Sequence, residues 1–118
     1  MIKSFKDLLI WNRSIDLSIE VYRATAGFPK EELFGLTSQM RRSGVSSAAN
    51  IAEGWSRNSK NSFRHYLDIS RGSLAELYTH TEIARRLEFI TDSRALGILV
   101  ETEEISKMIH SMQLRIKT

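Results

Sequence analysis

The sequence predicts an all-α chain folded as an antiparallel, up-down four-helix bundle, and three features of it lead there. One proline and six glycines in 118 residues leave few breaks in a chain rich in Leu, Ala, Glu and Arg. Apolar residues recur at steps of three and four along four runs, and no run shows the period of two expected of a half-buried strand. The connections are mostly short, which makes consecutive helices antiparallel neighbours crossing at about 20°. The length fits a single domain, residues 1–118, able to bury roughly 65% of its unfolded surface.

The first helix is expected over about 6–26, with Leu8, Trp11, Ile15, Ser18, Ile19 and Tyr22 as its leading stripe. A second stripe, Ile10, Leu17, Val21 and Ala24, lies far round the same helix, so the helix needs two sets of neighbours. Gly27 is expected to end it in the left-handed conformation, and Pro29 biases Phe28 away from helical geometry. The second helix, about 36–56, carries Met40, Gly44, Ser47, Ile51 and Trp55 on one face, widened by Val45, Ala48, Ala49 and Ala52. The third, about 59–89, starts at Ser59 as N-cap and buries Phe63, Tyr66, Leu67, Ser70, Ser73, Leu74, Leu77, Thr81 and Ala84. A narrower second stripe on it holds Ile69, Gly72, Glu76 and Ile83. The fourth, about 93–116, is capped by Asp92 and keeps an unbroken heptad seam from Ala95 to Ile116.

The second helix is unusual in its small residues. From Ser43 to Gly54, eight of twelve residues are Gly, Ala or Ser. A glycine inside a helix costs about 1 kcal/mol relative to alanine, and close packing offsets that at Gly44 and Gly72. This helix is therefore expected to be central and crowded, with Trp11 or Trp55 lying over it. Asn50 and Glu53 read first as residues that tie neighbouring helices or subunits, and Glu53 is spaced to pair with Arg57 at i, i+4.

The net charge of +3 is unevenly placed, because residues 41–71 hold Arg41, Arg42, Arg57, Lys60, Arg64 and Arg71 against Glu53 and Asp68 alone. Arg57, Lys60, Arg64 and Arg71 read as one basic stripe on the third helix. Two readings stand: a phosphate-binding surface, or a solvated charged face. Phe63 and Tyr66 are expected to point into the core, leaving no aromatic platform for bases.

Catalysis is not expected. His65, His80 and His110 are scattered and form no metal-ligating pair, no histidine lies near Ser43, Ser46 or Ser47 in sequence, and no glycine loop follows a strand. No cofactor and no metal site is read from the chain. With no cysteine and no long apolar run, a cytoplasmic protein without membrane association is expected.

The stretches "FKDLLIWNRSIDLSIEVYRAT", "FPKEELFGLTSQMRRSGVSSAANIAEGWSR" and "FRHYLDISRGSLAELYT" carry a resemblance. The chain resembles the bacterial four-helix-bundle family of 23S ribosomal RNA intervening-sequence proteins, in register from about Phe5 to Leu87. The matching positions include Phe34, Gly35, Leu36, Gln39, Arg41 and Arg42, then Asn50 to Gly54, Arg57, Ser59, Gly72, Ser73, Glu76 and Leu77. The resemblance implies a left-handed bundle assembled into a ring, in related structures a homopentamer. It also implies a likeness to the accessory protein of diversity-generating retroelements, which binds a reverse transcriptase and nucleic acid through a basic surface. This chain departs at Ser47 and Ala48, where relatives carry an apolar residue and a proline, and at Ser62, where a Glu would complete a capping box with Ser59.

The expected function is a non-enzymatic, oligomeric adaptor binding RNA or DNA phosphates through Arg41, Arg42, Arg57, Lys60, Arg64 and Arg71. Gly44, Asn50, Glu53, Gly54, Gly72 and Glu76 are assigned to structure or subunit contacts. The alternative is a protein-interaction module, accessory to a reverse transcriptase or another partner, in which the arginines serve subunit interfaces with Glu53 and Glu76.

Overall fold

The structure, a computed structural model, describes residues 1–116. Four helices, α1 (Leu9–Thr25), α2 (Leu36–Ser56), α3 (Lys60–Arg86) and α4 (Asp92–Arg115), pack around the bundle so that each touches the next and α4 returns to α1. The rod measures 45 × 22 × 20 Å. Short 3-10 turns at Phe5–Asp7 and Lys30–Glu32 precede α1 and α2, and no strand occurs among the described residues.

The helix ends follow local chemistry. Ser59 caps α3, its hydroxyl accepting from the Ser62 amide, as its position before the run suggested. Thr91, not Asp92, caps α4, accepting from the Arg94 amide; Asp92 instead places its carboxylate in the first turn. No glycine adopts positive φ, so Gly27 does not terminate α1 in the left-handed region. That conformation falls to Asn58 and Glu88 instead, in the α2–α3 and α3–α4 turns. At Glu88 (φ 61°) the following Phe89 amide reaches back to the Ala84 carbonyl at 2.9 Å, closing the end of α3.

The core runs the length of the rod through Ile10, Leu17 and Val21 of α1, Met40 and Ile51 of α2, Leu67, Leu74 and Leu77 of α3, and Ile98, Ile105 and Ile109 of α4. Each such side chain contributes about 1.5–3 kcal/mol when fully buried. Of the leading stripe read from sequence, only Leu8, just before α1, and Ser18 are buried. Ile10, Leu17, Val21 and Ala24 face the core, while Ile19 and Tyr22 are exposed and Trp11 and Ile15 half-buried. Both stripes have helical period, so only the partner decides between them. Here the partner is α2, whose Gly44 backbone lies against Ser18 and Val21 and turns that side inward.

The crowding expected of α2 centres on Gly54. A Cβ there would stand 2.6 Å from Tyr66 Cβ, closer than at any other glycine of the chain. Gly44 has room for a methyl in ordinary contact, and Gly72 has nothing within 4 Å, so close packing explains Gly54 and not Gly72. Buried hydroxyls stitch the same pair of helices: Ser70 donates to the Ser47 carbonyl at 2.7 Å, and the Ser46 and Ser73 hydroxyls meet at 2.9 Å. α2 runs unbroken through Ser47 and Ala48.

Candidate nucleic-acid interface

The six predicted basic residues fall in three places. Arg41 lies against α1, its Nε donating to Thr25 Oγ1 at 2.8 Å and its guanidinium stacked 4.6 Å over the Tyr22 ring. Arg42, one residue on, is exposed and makes no hydrogen bond or ion pair with a described residue. Arg57 ends α2, pairs with Glu53 at 3.2 Å as the i, i+4 spacing suggested, and donates to the Tyr66 hydroxyl at 2.9 Å. Lys60 and Arg64 occupy the first turns of α3, exposed and without an ion-pair partner among the described residues. Arg71 is half-buried between α3 and α4, where Nη1 donates to Gln113 Oε1 at 3.2 Å.

The single basic stripe is therefore corrected to a basic end with Arg71 set apart. Arg57 precedes the chain reversal at Asn58, so it does not belong to the face of α3. Arg71 turns toward α4 because Gln113 offers it an acceptor. The orientation of Gln113 is itself held by Nε2, which donates to Asp68 Oδ1 at 2.7 Å and to the Arg64 carbonyl at 3.2 Å.

The second correction concerns Tyr66. Phe63 is buried, but Tyr66 is half-exposed, with its ring 5.3 Å from the Arg57 guanidinium and edge-on to the exposed His65. Gly54 causes this: the close approach of α2 lets the Tyr66 Cβ pass over the glycine and carries the ring outward to Arg57.

Of the other assigned residues, Asn50 donates to the Ser46 carbonyl and hydroxyl, tying it into the Ser46–Ser73 contact between α2 and α3. Glu53 and Glu76 are exposed, Glu53 serving Arg57 and Glu76 making no hydrogen bond with a described residue.

The antiparallel arrangement sorts charge along the rod. One half gathers the start of α1, the α2–α3 turn and the end of α4; between residues 1 and 116 it carries nine basic side chains against five acidic ones when each helix is divided at its middle. The other half carries seven basic against nine acidic. At that acidic end three of the seven basic groups are also tied up, while Arg42 stays unpaired. Glu82 accepts from Arg85 at 2.7 Å and from Arg86 at 2.8 Å, and these two donors hold its carboxyl down at about 2. Arg94 pairs with Glu20 at 2.7 Å, which raises the arginine further above its usual range. Midway, Glu101 receives Arg13 Nε at 2.9 Å and raises that arginine likewise.

The sequence model of the family described as 23S rRNA-intervening sequence protein matches residues 6–111. The chain belongs to this family. A crystal structure of a protein of unknown function from the S23 ribosomal protein family of Bacteroides thetaiotaomicron is similar to it at 25% identity and a TM-score of 0.80, over 89% of this chain and 98% of that one. No curated protein matches the chain.

This member of the 23S rRNA-intervening sequence family also exposes apolar surface, in keeping with the two apolar stripes of α1 and of α3. Trp11, Ile15, Ile19, Tyr22, Val45 and Ala49 line a groove of about 530 Å³ between α1 and α2. A second hollow of about 560 Å³ continues from Tyr22 and Val45 to Leu33 and Phe34. Phe34, within the family's Phe-Gly-Leu pattern, is 93% exposed. Ile69 and Ile83 of α3 and Leu96 and Val100 of α4 are exposed as well. Among the described residues no helix is long and apolar enough to cross a membrane.

Proposed function

We propose that this protein is a non-enzymatic, oligomeric helical bundle that associates with RNA or DNA by contacting phosphates at the α2–α3 end of the rod. The observation that carries the reading is the sorting of charge along the bundle, with Lys60 and Arg64 left without ion-pair partners beside Arg57. Basic groups free of acidic partners attract a polyanion and release its counterions, whereas Arg85, Arg86 and Arg94 are already neutralised. Contacts of this kind position a nucleic acid without reading its sequence. The exposed His65 and half-exposed Tyr66 add ring faces at the same end.

Exposed apolar residues on α1 and α2 and on α3 and α4 support assembly into an oligomer. Two different apolar surfaces on one chain suit the head-to-tail contact that closes into a ring. A ring of five, the state implied by the family resemblance, would repeat the basic end around one rim.

The test compares native protein with a folded Arg57→Glu, Lys60→Glu, Arg64→Glu variant in binding a fluorescent structured RNA and a random DNA duplex at two salt concentrations. Salt-sensitive binding lost in the variant supports the proposal; absence of binding at low salt overturns it. A second reading, a protein-interaction module, is favoured by the exposed Phe34 beside the α1–α2 groove. Its partner contact would persist at moderate salt, where phosphate contacts weaken.

A further inference from the structure

Arg71 is a basic residue that the proposed interface does not use. Its Nε is buried and has no hydrogen-bond partner among the described residues, although Nη1 is held by Gln113. Around it two hollows join along the α3–α4 groove. One, of about 250 Å³, brings Ser106, Lys107, His110 and Ser111 to Arg71. The other, of about 450 Å³, runs from Arg71 and Ser106 past Leu74 and Ala75 to Tyr78, Thr102 and Glu103. The Ser106 and Ser111 hydroxyls make no hydrogen bond with a described residue, unlike the core hydroxyls of Ser18, Thr81 and Thr102, which bond to the preceding helical turn.

We infer that this groove is a binding site for a nucleoside 5′-phosphate unit, with the phosphate at Arg71 and the flat ring against Tyr78. The inference goes beyond the proposed interface, since it concerns another face of the bundle and a ligand the size of one nucleotide. At one end Arg71, Lys107 and two free hydroxyls supply charge and donors in the combination that phosphate oxygens accept. The Gln113 amide, pinned by Asp68, holds the guanidinium in place before any ligand arrives. Seven residues further along α3, about 10 Å at helical rise, Tyr78 offers a partly exposed ring beside the apolar Leu74 and Ala75. Both residues line the same hollow, so one ligand can reach from Arg71 to the ring. Glu103 and Thr102, between them on α4, can accept from ribose hydroxyls.

The full-length protein in its native assembly is titrated calorimetrically with AMP, with adenosine, with inorganic phosphate, and with a short RNA carrying either a 5′-phosphate or a 5′-hydroxyl. The expected result is saturable binding of AMP, about tenfold or more weaker without its phosphate and about tenfold weaker in Arg71→Met. Lys107→Ala, an exposed position, and Tyr78→Ala weaken it severalfold, and they decide the matter if Arg71→Met fails to fold. Binding of the 5′-phosphorylated RNA in preference to its 5′-hydroxyl form would assign the site to strand ends, and binding of AMP alone to free nucleotides. Lys60→Glu, Arg64→Glu leaves AMP binding intact, which separates this inference from the proposed interface. No AMP binding, or binding unchanged in Lys107→Ala and Tyr78→Ala, overturns it.

Discussion

Replacing Gly54 with alanine tests how α2 and α3 meet. The added methyl would stand 2.6 Å from Tyr66 Cβ, 3.3 Å from Phe63 Cδ1 and 3.4 Å from Phe63 Cα. Carbon atoms prefer about 3.5–4.0 Å, so α3 must retreat by about 1 Å, and the obstructing Cβ cannot swing aside as a side-chain tip would. Overpacking of this kind costs about 1–3 kcal/mol, with the upper part of the range expected where the neighbour is fixed to backbone. The better helix propensity of alanine returns about 1 kcal/mol. The net loss is about 1–2 kcal/mol, read as a lower urea midpoint at equal protein concentration. Because the shift displaces Tyr66, its hydrogen bond from Arg57 should weaken as well. Gly72→Ala is the control: with nothing within 4 Å it should gain up to about 1 kcal/mol. A Gly54→Ala protein as stable as the native one would refute the packing argument.

Arg41→Ala should destabilise the chain by about 1–2 kcal/mol by removing the Thr25 hydrogen bond and the stacking on Tyr22, while leaving nucleic-acid affinity nearly unchanged; thermal melts and binding isotherms check the two halves. Glu82 is held at about 2, below the ordinary carboxylate value of about 4.3, so its contribution is present above that value and is lost as pH falls toward 2. Glu82→Gln should therefore lower the denaturation midpoint at pH 7, and the gap to native protein should narrow by pH 3. Ile19→Glu with Val45→Glu, both on the open α1–α2 groove, should reduce the mass measured by light scattering to that of one 13.5 kDa chain with helicity retained.

The four helices and their order were legible because hydrophobic period and end chemistry agree, as at Ser59 and along the seam from Ala95 to Ile109. The assignment of faces on α1 was not. Two stripes of equal period differ only in what packs against them, and that depends on how near α2 can come at Gly44. The basic site was half legible. Composition located the basic middle of the chain, but the separation of Arg57 from Arg71 depends on the left-handed turn at Asn58 and on Gln113, 42 residues from Arg71 in sequence. The outward turn of Tyr66 was hidden for a similar reason, since helical period places it beside Phe63 and only the Gly54 approach diverts it. Phe34 is legible as a position of the family pattern, but its exposure is not, because an aromatic beside glycine in a short connection does not say what packs against it.

The central claim is that the two ends of the rod differ toward a polyanion, and charge reversal at each end tests it most directly. Binding of a structured RNA is measured across a salt series for the native protein, for Lys60→Glu, Arg64→Glu, and for Arg85→Glu, Arg86→Glu. The account predicts that the first variant binds more weakly with a salt slope shallower by about two contacts, while the second keeps the native slope because its arginines are already paired with Glu82. Equal losses from both ends, or a loss confined to the Arg85 end, would contradict it.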